Sequence, residues 1–187
     1  MNLEVAVHHA QDGDIIFTSV PNYLYQCVEK ATVSRTSHVG ILFNIKGRWM
    51  VAESRVPRSC YTPLEDFVAR SRQSWFSIKR YRDGLTATQA EALKSCCDEQ
   101  MNRWYHLGFK YASDRQFCSK FVFDAYQVAV GVQVGELKTF RELLAKNPEA
   151  PTLFWRCWYF GFIPWQRVTV TPASQFEDSQ LVTVVSG

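Results

Sequence analysis

The chain contains one apolar helical segment, from Cys118 to about Gly131, which follows a polar loop and ends at a glycine. Strand-like segments precede it, so the helix has a sheet against which it can pack. The 187 residues suit one domain with a sizeable core, and an apolar content of 47% argues against disorder. We therefore predict a single α+β domain over residues 1–187, in which residues 132–187 form a helical and aromatic extension with closing strands.

Hydrophobic alternation predicts the strands, and proline, threonine and glycine signals mark the ends of the helices. The predicted strands are residues 13–19, 37–43, 48–54, 75–82, 167–171 and 181–185. The predicted helices are residues 21–35, 62–71, 86–108, 118–131 and 139–147. The cysteine helix therefore comes after four of the six predicted strands.

Composition excludes several classes of function. The net charge of +3 arises from scattered Lys and Arg residues, so we expect no nucleic-acid partner. No apolar stretch reaches the ~18 residues of a membrane span, and the first residues lack a secretory signal. Six cysteines without an export signal indicate reduced thiols in a cytoplasmic protein. No C-x-x-C or H-E-x-x-H pattern occurs, so we expect neither a bound metal nor a cofactor.

Cys118 is the candidate nucleophile. A thiol at a helix N-terminus meets unpaired backbone N–H groups and the positive end of the helix dipole, and both favour the nucleophilic thiolate. Two other interpretations remain open. Cys118 shares a helical face with Val122 and Ala125, which fits a packed core residue. Residues 113–116 also fit a capping box, which would place Cys118 one turn inside the helix.

His38 and Glu53 lie in two predicted strands joined by residues 44–47. A four-residue loop would place the two side chains directly opposite each other, with Cβ atoms roughly 4.5–5.5 Å apart. A two-residue loop would leave Glu53 diagonal to His38 on the same face, and a loop of odd length would separate them. A structural ion pair of Glu53 with Arg55 or Arg35 is the alternative, because an unpaired buried carboxylate is costly.

These three residues suit acyl transfer. Glu53 would accept a hydrogen bond from one ring nitrogen of His38 and leave the other nitrogen for the thiol of Cys118. A thiolate–imidazolium pair of this kind attacks carbonyl carbons. The backbone N–H of Cys118, with Tyr111 as a nearby donor, would stabilise the developing oxyanion. Arg55 lies beside the acid strand and is a candidate for binding an anionic group of the substrate.

Four motifs occur in an informative order: Gly-Asp-Ile-Ile-Phe-Thr at residues 13–18, Ser-His-Val-Gly-Ile at 37–41, Val-Ala-Glu-Ser-Arg-Val-Pro at 51–57 and Phe-Cys-Ser-Lys-Phe-Val at 117–122. The histidine and acid strands precede the cysteine helix. This order resembles the circularly permuted papain-like hydrolases of the NlpC superfamily, and the match is best with the YiiX/YebB-like group. The resemblance covers about residues 13–126.

The resemblance implies that Cys118 is the nucleophile, His38 the base and Glu53 the polar third member of the site. It also implies a fold in which the cysteine helix packs on an antiparallel sheet or partly open barrel. Tyr111 resembles an aromatic residue often found upstream of the cysteine in such proteins. Lys120 stands where an acidic residue is expected, and this departure concerns the charge at the rim of the site and the substrate preference.

The activity implied by the resemblance is hydrolysis or transfer at an amide, ester or thioester. Relatives in the superfamily act on cell-wall peptides or on acyl chains of lipids, so we expect a small-molecule, peptide or acyl substrate. An amine or alcohol acceptor in place of water would make the same site an acyltransferase. A non-catalytic module that binds an acyl or peptide ligand is the alternative from another class of function.

The aromatic run at residues 153–165 is the second notable feature of the sequence. Its helical spacing of Phe154, Trp158 and Phe162 fits a helix buried in the core. Because Trp and Tyr favour interfaces, the run also fits an apolar wall for an acyl substrate or a contact with a membrane surface.

Overall fold

A six-stranded antiparallel sheet dominates the computed structural model, which describes residues 3–147 and 150–187. Its strands are β1 (Ile15–Thr18), β2 (His38–Ile45), β3 (Arg48–Ser54), β4 (Ser59–Pro63), β5 (Phe76–Tyr81) and β8 (Leu181–Ser186). They lie in the order β4-β3-β2-β1-β5-β8, so the sheet has two free edges and is not a closed barrel. Two further strands, β6 (Lys138–Thr139) and β7 (Val168–Thr169), form a separate antiparallel pair.

Helices cover both faces of the sheet and extend beyond it. They are α1 (Leu3–His9), α2 (Tyr23–Thr32), α3 (Leu64–Ala69), α4 (Ala87–Glu99), α5 (Cys118–Val130), α6 (Phe140–Ala145), α7 (Thr152–Trp158) and α8 (Pro172–Phe176). The predicted α+β class, with the cysteine helix on an antiparallel sheet, is confirmed. Among the residues that the structure describes, no helix is long and apolar enough to span a bilayer.

The central strands are buried on both faces. In β1, Ile15 and Phe17 face α5, whereas Ile16 faces the opposite side. The first face packs on Phe121 and Val122 of α5, and the second face packs on α3. Strands covered on both faces read as continuous apolar runs, which explains the sequence of β1.

A third apolar cluster lies at the N-terminal end of α5 and is rich in aromatic side chains. It joins Phe117, the residue before α5, and Phe123 of α5 to side chains from three other segments: Phe109 in the preceding loop, Phe140 of α6 and Trp155 of α7. The C-terminal region therefore packs against the end of the helix that carries Cys118, rather than against the middle of the sheet.

The hairpin between β2 and β3 turns through two residues, Lys46 and Gly47. Ile45 pairs with Arg48, and the register continues to Ile41 opposite Ala52. Both turn residues have positive φ, 53° and 83°, as in the type I′ turn that suits two-residue hairpins. The four-residue loop was the wrong alternative, and the two-residue loop is the one observed.

Other boundaries differ from the sequence predictions for identifiable reasons. The predicted helix over residues 86–108 ends at Glu99, because the following chain bonds to β4, a strand that was not predicted. Ser59 of β4 exchanges backbone hydrogen bonds with Asn102 and Arg103. The aromatic run is helical only to Trp158.

Candidate active site

Cys118 is the first residue of α5, and Phe117 is the N-cap with an extended backbone. The thiol is 3% exposed and faces the end of the helix where the first N–H groups lack intrahelical partners. The capping-box alternative is wrong, because α5 begins at Cys118 and not within residues 113–116. The helix dipole therefore acts on the thiol in the direction that stabilises a thiolate.

His38 and Glu53 meet across the β2–β3 pair. Their side chains are 2% and 0% exposed, and His38 Nε2 lies 2.5 Å from Glu53 Oε2. The two-residue turn makes them diagonal neighbours on one face, as the sequence predicts for that register. Gly40 leaves the space between them open, since a Cβ there would lie 3.4 Å from Glu53 Cβ and 2.4 Å from a methyl of Val51.

Glu53 is held on its other oxygen by two further donors. Thr62 Oγ1 donates to Oε1 at 2.6 Å and Arg70 Nη2 donates to the same atom at 2.5 Å. Burial alone would raise the pKa of Glu53, but His38, Arg70 and Thr62 outweigh it and lower the pKa to about 2. The carboxylate is therefore ionised at every pH near neutrality.

The arginine that pairs with Glu53 was not among the two predicted. Arg70 forms the ion pair, whereas the guanidinium of Arg35 lies over the ring of Trp75 at 4.6 Å. Arg55 lines a surface hollow that Arg70 also lines. The role of Arg55 in binding an anionic substrate group stays a prediction.

Aromatic rings enclose the imidazole of His38. The centroid of Tyr25 is 5.8 Å from that of the imidazole, and the centroid of Phe67 is 5.5 Å away. Burial by these rings would lower the pKa of His38, but its interactions with Cys118 and Glu53 prevail and raise the pKa to about 9. The imidazole can therefore hold a proton while the thiol is ionised.

The second ring nitrogen, Nδ1, is available to the thiol. It is buried and makes no hydrogen bond of good geometry to any residue within the described ranges. Cys118 is nevertheless close enough to raise the pKa of His38 through hydrogen-bond and charge interactions. Long or poorly aligned contacts between catalytic groups are common before substrate binds, so this geometry suits a nucleophile–base pair.

Tyr105, and not Tyr111, is the tyrosine at the thiol. The Tyr105 hydroxyl lies 4.0 Å from Cys118 Sγ in donor orientation, and burial and the Cys118 charge raise the pKa of Tyr105 well above its ordinary value. The hydroxyl of Tyr111 instead donates to Asp124 at 3.1 Å. The sequence places Tyr111 seven residues before the cysteine, but the loop between them folds so that Tyr105, and not Tyr111, reaches the thiol.

A small apolar cavity of about 50 Å³ adjoins Cys118. Its walls are mainly aromatic and aliphatic side chains from the third cluster, including Phe109, Phe117, Phe140, Leu144, Trp155 and Val170. The volume is roughly four times the space that one buried water requires. An apolar group attached to a reacting carbonyl would therefore have a place beside the thiol.

A solved structure with the same architecture is that of YiiX from Escherichia coli O157:H7, described as a metalloprotein and as DUF1105. It superposes with a TM-score of 0.89 at 30% sequence identity, covering 96% of this chain and 98% of that chain. Within residues 3–147 and 150–187 of the present chain, no three His, Cys, Asp or Glu side chains are grouped so that they could hold a metal ion. The described residues therefore do not fit a resident metal.

Sequence comparison leads to the same group of proteins. The uncharacterized protein YiiX of Escherichia coli (strain K12) is 30% identical over 174 residues, which cover 93% of this chain and 85% of that protein. A family model described as permuted papain-like amidase enzyme, YaeF/YiiX, C92 family, matches residues 9–185. The match includes the histidine strand, the acid strand and the cysteine helix in the permuted order read from the sequence. The chain belongs to this YaeF/YiiX family of permuted papain-like amidases.

Proposed function

We propose that the protein is a cysteine hydrolase that cleaves an amide, ester or thioester through an acyl-cysteine intermediate. The observation that carries the proposal is the arrangement of His38, which is fixed by Glu53 through Nε2, has Nδ1 unpaired, and lies close enough to Cys118 for the thiol to raise the pKa of the imidazole. The family to which the chain belongs supports amide hydrolysis as the reaction class.

In the first half of the reaction, the Cys118 thiolate forms a bond to the carbonyl carbon, and the carbonyl electron pair moves to oxygen. The imidazolium of His38 then donates its proton to the leaving amine, alcohol or thiol as the carbonyl re-forms. Glu53 remains ionised and holds the ring in the tautomer and orientation that this transfer needs. The product of this half is an acyl thioester on Cys118.

In the second half, water attacks the thioester and His38 accepts one of its protons. Collapse of the second tetrahedral intermediate releases the carboxylic acid and returns the Cys118 thiolate and the His38 imidazolium. The backbone N–H of Cys118 and the hydroxyl of Tyr105 are the donors proposed for both oxyanions, because a neutral, buried tyrosine retains its proton. Tyr25, whose pKa is raised by burial and by the Cys118 charge, lies in the same environment.

The cavity supports a substrate with an apolar acyl group. It is almost wholly apolar and lies beside the nucleophile, so a short acyl chain or an apolar side chain next to the scissile carbonyl would displace no strongly bound water. We expect a butyryl ester to react faster than an acetyl ester with the same leaving group. A substitution that fills the cavity, Val170→Phe, should reverse this preference without changing the reactivity of Cys118.

The test measures iodoacetamide alkylation of each cysteine by peptide mass, together with hydrolysis of acyl esters, thioesters and amides. We expect Cys118 to react much faster than Cys27 and Cys97, which are 2% and 0% exposed and serve as equally buried controls. The faster alkylation of Cys118 relative to these controls should disappear in His38→Ala. Turnover should fall by at least about a thousandfold in Cys118→Ala and His38→Ala and stay unchanged in the exposed control Cys157→Ala.

Three outcomes would replace or change this proposal. Full turnover in Cys118→Ala would exclude the acyl-cysteine mechanism. Tight retention of an acyl or peptide ligand without turnover, and with Cys118 no more reactive than Cys97, would identify a binding module. Formation of an amide or ester from an added amine or alcohol, in preference to hydrolysis, would show that the same intermediate serves an acyltransferase.

A further inference from the structure

The aromatic run at residues 153–165 is divided between the interior and the surface. Trp155 is 4% exposed, whereas Phe160 and Phe162 are 96% and 85% exposed. Single exposed apolar residues are ordinary on protein surfaces. Two phenylalanines exposed to this extent within three residues leave a large apolar area in water, and such areas mark contacts with apolar partners.

Leu107 joins the two phenylalanines in one surface. It is 44% exposed and lines the same hollow as Phe160 and Phe162. The Nε1 of Trp158 donates to the carbonyl of Leu107 at 2.9 Å, and the hydroxyl of Tyr159 donates to the next carbonyl at 3.1 Å. The polar atoms of Trp158 and Tyr159 are therefore used internally, while the three apolar side chains stay outside.

The backbone of Phe160 adds a second observation. Its φ is 52°, in the left-handed region that bulky residues rarely adopt, and Gly161 follows with a φ of 101°. A left-handed phenylalanine costs free energy, which must be supplied by the surrounding structure. The turn after α7 therefore holds Phe160 in an unfavourable backbone conformation, and its ring is exposed.

The two chain segments that supply this surface carry charges of one sign. Residues 103–113 and 152–167 contain four Lys and Arg and no Asp or Glu, while the rest of the chain contains seventeen Lys and Arg and eighteen Asp and Glu. The net positive charge of the protein thus comes from these two segments. Lys110 and Arg156 are exposed, and the guanidinium of Arg141 lies 6.0 Å from the ring of Trp165.

We propose that this docking face, formed by Leu107, Phe160 and Phe162 with Lys110 and Arg156, binds the surface of an anionic phospholipid bilayer. The three apolar side chains would enter the boundary between headgroups and acyl chains, and the two cations would lie against lipid phosphates. Projecting rings with flanking cations match a bilayer in both respects. This inference does not depend on the proposed hydrolase.

The location of the docking face connects it to the candidate active site. Trp155 of α7 lines the cavity at Cys118, and Trp158 of the same helix lines the hollow beside Phe160. A bilayer bound at the docking face would therefore contact the helix that also supplies a wall of the cavity.

The first experiment measures sedimentation of the full chain with sucrose-loaded vesicles. One set of vesicles contains phosphatidylcholine alone, and the other contains phosphatidylcholine with about 30% phosphatidylglycerol, so that its surface is negatively charged like that of an anionic leaflet. We expect binding to the anionic vesicles and a decrease as the salt concentration rises. The double variant Phe160→Ser/Phe162→Ser should lose at least about tenfold in partitioning. Lys110→Gln and Arg156→Gln should each lose about fivefold, on anionic vesicles only.

Matched controls distinguish binding through the docking face from non-specific adsorption to vesicles. Val33→Ser/Val128→Ser removes two apolar side chains that are 71% and 75% exposed elsewhere, and Val33 also has a positive φ. Arg82→Gln removes an exposed cation outside the two basic segments. Both controls should bind vesicles as the unaltered chain does. Equal binding by the phenylalanine variant and the control variant would overturn the proposal.

Cys157 offers a second measurement because its exposed side chain lines the hollow. An environment-sensitive fluorophore is attached to Cys157 in a Cys60→Ser/Cys96→Ser/Cys118→Ser chain. When anionic vesicles are added, its emission wavelength should shift to that of a more apolar environment. No shift and no sedimentation with either vesicle would refute the proposal. Self-association in sedimentation velocity without lipid, abolished by Phe160→Ser/Phe162→Ser, would instead identify a contact between copies of the chain.

Discussion

The candidate active site and the docking face distribute polar and apolar groups in opposite ways. At the active site, a carboxylate and an imidazole are buried and paired, and Glu53 receives hydrogen bonds from three side chains. At the docking face, aromatic rings are exposed and cations surround them. Each arrangement departs from the average protein and carries a cost. The first cost is offset by pairing within the chain, and under the membrane proposal the second is offset by contact with a bilayer.

The largest effect should come from truncating matched phenylalanines in the two regions. Phe121→Ala removes a side chain that is 0% exposed between α5 and the sheet and should lower the free energy of unfolding by about 3–5 kcal/mol. Phe160→Ala should change it by less than about 0.5 kcal/mol, because that ring already lies in water. Urea denaturation of both variants measures the difference. A large loss in Phe160→Ala would mean that the docking face is a structural surface.

Removal of the buried charge should have the next largest effect. Glu53→Gln leaves His38 and Arg70 without their anion and should cost about 2–3 kcal/mol, a value reduced because Arg70 is one third exposed. It should also lower turnover, but less than Cys118→Ala does. Glu65→Gln breaks an exposed pair with Arg48 and should lower stability much less than Glu53→Gln does. Equal losses would show that the buried network contributes no more than a surface pair.

The pH dependence of stability tests the same network. The directions of the pKa shifts determine whether stability rises or falls with pH. The pKa of His38 rises from 6.5 to about 9, so its contribution is complete below about 6.5 and is lost as pH rises through 9. The pKa of Glu53 falls from 4.5 to about 2, so its contribution is complete above 4.5 and is lost as pH falls. Denaturation midpoints should therefore be highest between about pH 4.5 and 6.5. In His38→Ala, the decrease above pH 6.5 should be smaller.

The smallest predicted effect concerns the two arginines near the acid strand. Arg70→Gln removes one donor from Glu53 while Thr62 remains, so unfolding should cost about 1–2 kcal/mol less and turnover should fall severalfold. Arg55→Gln should leave stability within about 0.5 kcal/mol. An effect of Arg55→Gln on KM alone would support its predicted role in binding an anionic group. If Arg70→Gln and Arg55→Gln lowered turnover equally, the hydrogen bond from Arg70 to Glu53 would have no special role in positioning the carboxylate.

The sequence predicted the parts of the site that depend on local pattern. The start of α5 at Cys118 and its end before Gly131 follow from the change between polar and apolar residues and from the left-handed glycine. The common face of His38 and Glu53 follows from strand periodicity. The register itself was left open, because Lys46 with positive φ lacks the Asn-Gly signal of a two-residue turn.

The missed residues depend on contacts between segments distant in the chain. Arg70 reaches Glu53 only because α3 folds back over β3 and β4, and sequence spacing alone does not predict that approach. Tyr105 reaches Cys118 because residues after Glu99 leave the helix and bond to Ser59. Helical periodicity favours a helix in this segment. Tertiary hydrogen bonds override that local propensity, and the helix ends at Glu99.

The pairing of His38 with Glu53 across a glycine has a consequence for the lifetime of the site. Both residues belong to hydrogen-bonded strands, and Gly40 between them is also paired with Ile16 of β1. The backbones that carry the two side chains can therefore separate only when the sheet itself opens, which also exposes the neighbouring amide protons. Native-state hydrogen exchange at β2 would thus report, residue by residue, the free energy that keeps the strands of the candidate pair together.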